Sequence, residues 1–120
     1  MKFADYEGPY TFVSRFEEGP GTNPEELVGA AHAGCYSMFL AAQLTTAGFP
    51  PNSVKATATV HLGRDDKGPK ITLIELDVTA DVPGVSEEQF AELAQKSKEL
   101  CPVSRALAAT DIELKATMVG

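Results

Sequence analysis

Cys35 and Cys101 are the two side chains in this 120-residue chain with the most distinctive reactivity, and their surroundings differ. A cysteine acts as a nucleophile only as its thiolate. No charged residue lies within four positions of Cys35, so by itself it reads as a small core hydrophobe that stays protonated. Activation needs a cation, and Arg15 is the best candidate nearby in sequence, favouring the charged sulfur by Coulomb attraction. Glu25 could orient that guanidinium through a bidentate pair, or it serves as a first-turn carboxylate that starts a helix. Ten residues of helix rise about 15 Å, so Glu25 and Cys35 of one unbroken helix cannot both touch one arginine. The helix therefore begins later or bends, or the site is assembled from two chains. Cys101 precedes Pro102, where a helix can restart, and a helix N-terminus favours a thiolate. That makes Cys101 a resolving thiol for Cys35, or else a helix cap or a buried apolar contact. Joining the two sulfurs requires Cα atoms within about 7 Å.

His32 lies three positions before Cys35 and shares its helical face. A metal site from His32, Cys35, His61 and Cys101 would not follow finger or ribbon spacing. His32 is expected to hydrogen-bond within the core, and no metal or other cofactor is expected. The chain has no G-x-S-x-G, P-loop or G-x-G-x-x-G motif, which leaves hydrolase, nucleotide and dinucleotide chemistry without support.

The elements that must position these residues follow from periodicity and capping signals. Tyr10, Phe12, Ser14 and Phe16 alternate with Thr11, Val13 and Arg15, predicting a strand. Asn23 or Thr22 as cap, Pro24 at the first position and Glu25 and Glu26 in the first turn predict a helix running to about Ala47, where Gly48 ends it. Val54 to Leu62 and Ile71 to Val82 alternate apolar and polar residues around the turn GRDDKGP, predicting a hairpin. Ser86 with Gln89 forms a capping box, followed by an inward stripe of Phe90, Leu93, Ala94, Ser97 and Leu100. A short helix over Val103 to Ala108 precedes a last strand with Ile112, Leu114, Ala116 and Met118 inward. Strands and helices do not alternate as parallel units would, so the fold class is α+β: an antiparallel sheet packed on a long buried central helix, in a single domain over residues 1–120.

Composition narrows the partners. A net charge of −7 and a pI near 4.7 leave no basic cluster for a phosphate backbone, so nucleic acid is not expected. The first ten residues show no signal-peptide pattern, and a cytoplasmic location is expected, where structural disulfides are rare. The uncharged run from Leu27 to Pro50 is long enough to span a membrane, but its polar residues and many alanines favour a core helix over a membrane segment.

Two long motifs add to this reading. The run RFEEGPGTNPEELVGAAHAGCYSMFLAAQL resembles the central motif of the OsmC subfamily in the OsmC/Ohr family (osmotically inducible protein C and organic hydroperoxide resistance protein). KELCPVSRAL resembles that family's second cysteine motif, and the likeness extends from about Tyr10 to the end, through VTADVPGVSEEQF. It implies a cysteine-based peroxidase that reduces organic hydroperoxides, and hydrogen peroxide less well, in oxidative stress defence. Cys35 would be the peroxidatic cysteine and Cys101 the resolving one, closing an intramolecular disulfide. Arg15 would stabilise thiolate and peroxide, and Glu25 would orient it. The resemblance further implies recycling by a dithiol such as a dihydrolipoyl protein, and a homodimer with sites at the subunit interface. Against the family's usual extra N-terminal strands, a shortened set is expected here. The competing expectation is a non-enzymatic redox-sensing or small-molecule-binding module.

Overall fold

Helix α1, Pro24–Thr46, starts where the capping signals converge. The Asn23 side chain accepts the Glu26 N–H at 2.9 Å and Pro24 occupies the first turn. At the other end Phe49 N–H bonds Leu44 C=O at 2.8 Å and Gly48 N–H bonds Thr45 C=O at 3.0 Å. This double bond pattern needs a left-handed residue between, which Gly48 supplies with φ of 96°. The computed structural model describes residues 2–3, 5–8 and 21–119. The strand expected over 10–16, with Arg15, lies outside the described residues.

The buried stripe of α1 is Gly29, His32, Tyr36, Leu40 and Leu44, spaced three or four apart as one helical face requires. Gly29 lets the helix approach the sheet closely, because a Cβ there would sit 3.3 Å from Ala58 C=O and 3.3 Å from Val60 Cγ2. α1 meets the length and composition of a membrane-crossing helix. Tyr36, Leu40 and Leu44 nevertheless form part of the domain core, where an apolar stripe is removed from water.

Strands β1 (Lys2–Phe3) and β2 (Tyr6–Glu7) form a small antiparallel ladder of their own. The main sheet has the order β3-β4-β5. β3 (Ser53–Asp65) and β4 (Gly68–Asp81) make the expected hairpin, but both strands run further into the turn than periodicity predicts. The loop shrinks to Asp66 and Lys67 because the Asp65 carboxylate accepts the Lys67 N–H at 2.8 Å and Gly68 adopts φ of 122°. Ile74, Leu76, Val78 and Ala80 of the central strand β4 are buried, each two positions from the last.

After β4 the chain crosses the sheet through α2 (Glu87–Leu100) and α3 (Pro102–Ala106) and returns as β5 (Asp111–Met118). The capping box is present, with Ser86 Oγ accepting the Gln89 N–H at 3.1 Å. β5 pairs with β4 in parallel, Leu73 opposite Asp111 through Ala80 opposite Met118. The α+β class therefore holds, while the expectation of a purely antiparallel sheet is corrected to a mixed one. The physical reason is direction: the helical layer between the two neighbouring strands carries the chain back to the end where β4 began, so β5 runs the same way as β4. A second correction concerns Leu100, expected inward but 43% exposed, because α2 ends there and the chain turns at Cys101.

Candidate redox site

Pro102 organises one side of the site. A residue before proline is driven out of the helical region, and Cys101 accordingly has φ of −54° and ψ of 130° between two helices. It still belongs to both: its N–H bonds Ser97 C=O at 2.9 Å and its C=O receives the Arg105 N–H at 3.0 Å. This fixes the Cys101 backbone against sliding along either helix.

The other side is α1. Cys35 is half-buried, and its Sγ lies 2.9 Å from the Sγ of Cys101, a residue with 0% exposure. Burial of Cys35 raises its thiol pKa, as do the hydrogen bond in which its thiol proton is held against Cys101 and the proximity of that second thiol. The backbone N–H of Val103, directed at Cys35, pulls the other way. Pro102 has no N–H, so Val103 offers the first free backbone donor of α3. The start of α3, expected to favour the thiolate of Cys101, thus also offers a donor to Cys35.

Three residues before Cys35, His32 is fully buried and its Nε2 lies 2.7 Å from Ser104 Oγ. The expectation of a hydrogen-bonded core histidine is met. Burial lowers the His32 pKa, which favours the neutral ring. Tyr36, the next residue after Cys35, donates its hydroxyl to Ala94 C=O at 2.9 Å and ties α1 to α2. Burial, then Cys101, pushes the Tyr36 phenol far up, so it too stays neutral.

The remaining expected site residues are dispersed. Glu25 is buried in the first turn of α1. Because α1 runs without interruption from Pro24, Glu25 stands about 15 Å along the axis from Cys35 of the same chain. A later helix start is thereby removed from the options. Arg15 lies outside the described residues. His61 is exposed and bonds Glu75 Oε1 at 2.6 Å across the hairpin. Among the described residues no group of three or more His, Cys, Asp or Glu is arranged to hold a metal ion. Sequence reasoning passed over Val103 and Ser104. A trace of Ser104 existed, since it follows Cys101 by the same three residues that separate His32 from Cys35.

A covered thiol held against a partly open one, where a long helix meets the crossover of a small mixed sheet, marks a two-thiol redox protein of the α+β class. Residues 17–115 match the family described as OsmC-like protein. The chain belongs to the OsmC-like protein family. It is 49% identical over 110 residues to Peroxiredoxin OsmC of Escherichia coli strain K12, an alignment covering 89% of this chain and 77% of that protein. It is 33% identical over 92 residues to an organic hydroperoxide resistance protein of Xanthomonas axonopodis pv. citri, covering 73% of this chain and 61% of that one. In three dimensions an OsmC-like protein of unknown function from Vibrio cholerae superposes with a TM-score of 0.71 at 20% identity. That superposition covers 79% of this chain and 64% of the other and speaks to the fold alone.

Proposed function

We propose that this chain is a thiol-dependent peroxidase acting on organic hydroperoxides, with Cys35 as the attacking and Cys101 as the resolving cysteine. The observation that supports the assignment of roles is the 2.9 Å separation of the sulfurs of a half-buried and a fully buried cysteine. The names of the Escherichia coli and Xanthomonas relatives support the reaction class. Cys35 thiolate attacks one oxygen of the hydroperoxide, breaking the O–O bond; sulfur is oxidised to the sulfenic acid and the alkoxide takes a proton to leave as alcohol. The Cys101 sulfur then bonds to Cys35 and expels hydroxide, which takes the Cys101 proton and leaves as water. A dithiol returns both sulfurs to the reduced state, and dihydrolipoyl groups fit that requirement. Hydrogen peroxide is the poorer substrate, and the cytoplasm is the compartment.

The influences raising the Cys35 pKa make a cation necessary, since only the thiolate attacks. We assign that role to Arg15, oriented by Glu25. The length of α1 argues that Glu25 and Cys35 of one site come from different chains of a homodimer. The outer face of α1 suits such a contact: Ala31, Gly34, Met38 and Ala42 are all exposed, and Met38 is 75% exposed. A second reading, a redox sensor that oxidises once and does not cycle, draws on the raised Cys35 pKa. Titrating reduced protein with an alkyl hydroperoxide and weighing the products tests both. Wild type should lose two hydrogen atoms in mass as it closes a disulfide, Cys101→Ser should accumulate oxidised Cys35, and Cys35→Ser should not react. Multiple turnovers with added dithiol are expected; a single oxidation without cycling would overturn the peroxidase.

A further inference from the structure

His32 and Cys35 lie one helical turn apart on α1, and Cys101 and Ser104 lie the same distance apart at the start of α3. The two pairs face each other. Cys35 meets Cys101 at 2.9 Å, and His32 Nε2 meets Ser104 Oγ at 2.7 Å. A single contact between two helices leaves one free to pivot about it, whereas two contacts a turn apart fix its rotation.

Besides these contacts α3 is anchored by Val103, half-buried against the core. The helix is five residues long, its N-cap makes no side-chain bond, and Ser104 is its buried side chain. So short a helix has no stability of its own. Burying an imidazole and a hydroxyl carries a desolvation cost that their mutual bond offsets only if both remain in place. His32 Nδ1, also buried, has no partner among the described residues. Buried N–H groups without acceptors are rarer than unfilled lone pairs. The tautomer with its proton on Nε2 is therefore favoured, so that His32 donates and Ser104 accepts.

We infer that His32 and Ser104 form a clasp that positions Cys101 against Cys35, setting the effective concentration of the resolving thiol. Both are positioning residues: neither is placed against substrate or reacting sulfur, and both act through the orientation of α3. For the resolving step the consequence is direct. The incoming Cys101 sulfur must lie opposite the departing hydroxyl on Cys35, and a pivoting α3 would lose that alignment and leave the sulfenic acid open to further oxidation.

The clasp matters for catalysis only if the chain is a peroxidase, but its effect on pairing can be read without peroxide. The dithiol and disulfide forms of wild type, Ser104→Ala, His32→Phe and His32→Gln are equilibrated with reduced and oxidised dithiothreitol and quantified by mass, with circular dichroism as the check on folding. Ser104→Ala removes one oxygen, and it carries the test if His32→Phe does not fold. The expected result is a tenfold less favourable disulfide in Ser104→Ala and His32→Phe, which corresponds to about 30 mV in the two-electron potential. His32→Gln, whose amide nitrogen can donate to Ser104, should stay near wild type. In single-turnover reactions with tert-butyl hydroperoxide, Ser104→Ala should slow disulfide closure at least fivefold more than it slows oxidation of Cys35, and its overoxidised fraction should rise. A folded Ser104→Ala with the wild-type equilibrium would overturn the clasp. If that equilibrium shifts while wild type fails to consume hydroperoxide, the clasp stands and the peroxidase reading falls.

Discussion

At Cys35 the influences on one sulfur are unequal: burial and the neighbouring thiol hold the proton on, and the Val103 N–H works to release it. A guanidinium would reverse the balance, so the proposed role of Arg15 has a measurable sign. Arg15→Met should move the pH midpoint of Cys35 alkylation upward, because losing a nearby positive charge disfavours the thiolate. Each unit of that shift removes about nine-tenths of the thiolate at neutral pH. The hydroperoxide rate should fall at least tenfold with it. Unchanged alkylation in Arg15→Met would remove arginine from the site. The two thiols were legible in the sequence because cysteine is rare and its chemistry is tied to residue type. Val103 was not, since its contribution is a backbone N–H freed by the preceding proline, which no side-chain pattern records. Ser104 is an ordinary short polar residue until a buried imidazole faces it.

Elements whose signals are local were read closely. The cap at Asn23, the glycine stop at Gly48 and the box at Ser86 all appear where residue chemistry put them. What failed is the direction of β5. Alternation identifies a strand and its inward face but is the same read forwards or backwards, so the parallel pairing with β4 had to come from the helical crossover. The approach of α1 to β3 was equally hidden, because Gly29 gives no sign in sequence of what it faces. With Ala58 C=O and Val60 Cγ2 already tight against a single added carbon, Gly29→Val should force α1 away from the sheet and cost about 1–3 kcal/mol. Urea unfolding measures this, and a midpoint equal to wild type would show that the strand yields freely.

Taken as a molecule, the chain carries a net charge of −7 and leaves a charge-free helical face uncovered. For the proposed homodimer, a second copy bringing the same charge needs a short-range apolar contact to overcome the repulsion between them. Met38 is the most exposed large side chain on that face. Met38→Glu should therefore shift the sedimentation coefficient toward that of a single chain while the circular dichroism spectrum is retained. No change in sedimentation would place the contact elsewhere. Cys101 joins α2 to α3, and 66 residues separate it from Cys35. A covalent bond between them would turn that stretch, with the whole β3–β4 hairpin and α2, into a closed ring. By the chain-entropy relation a loop of this size favours the folded form by about 4 kcal/mol. Oxidation would then do more than record a spent turnover: it would lend the chain rigidity, and a nick at the hairpin tip would leave no loose piece until a reductant arrived.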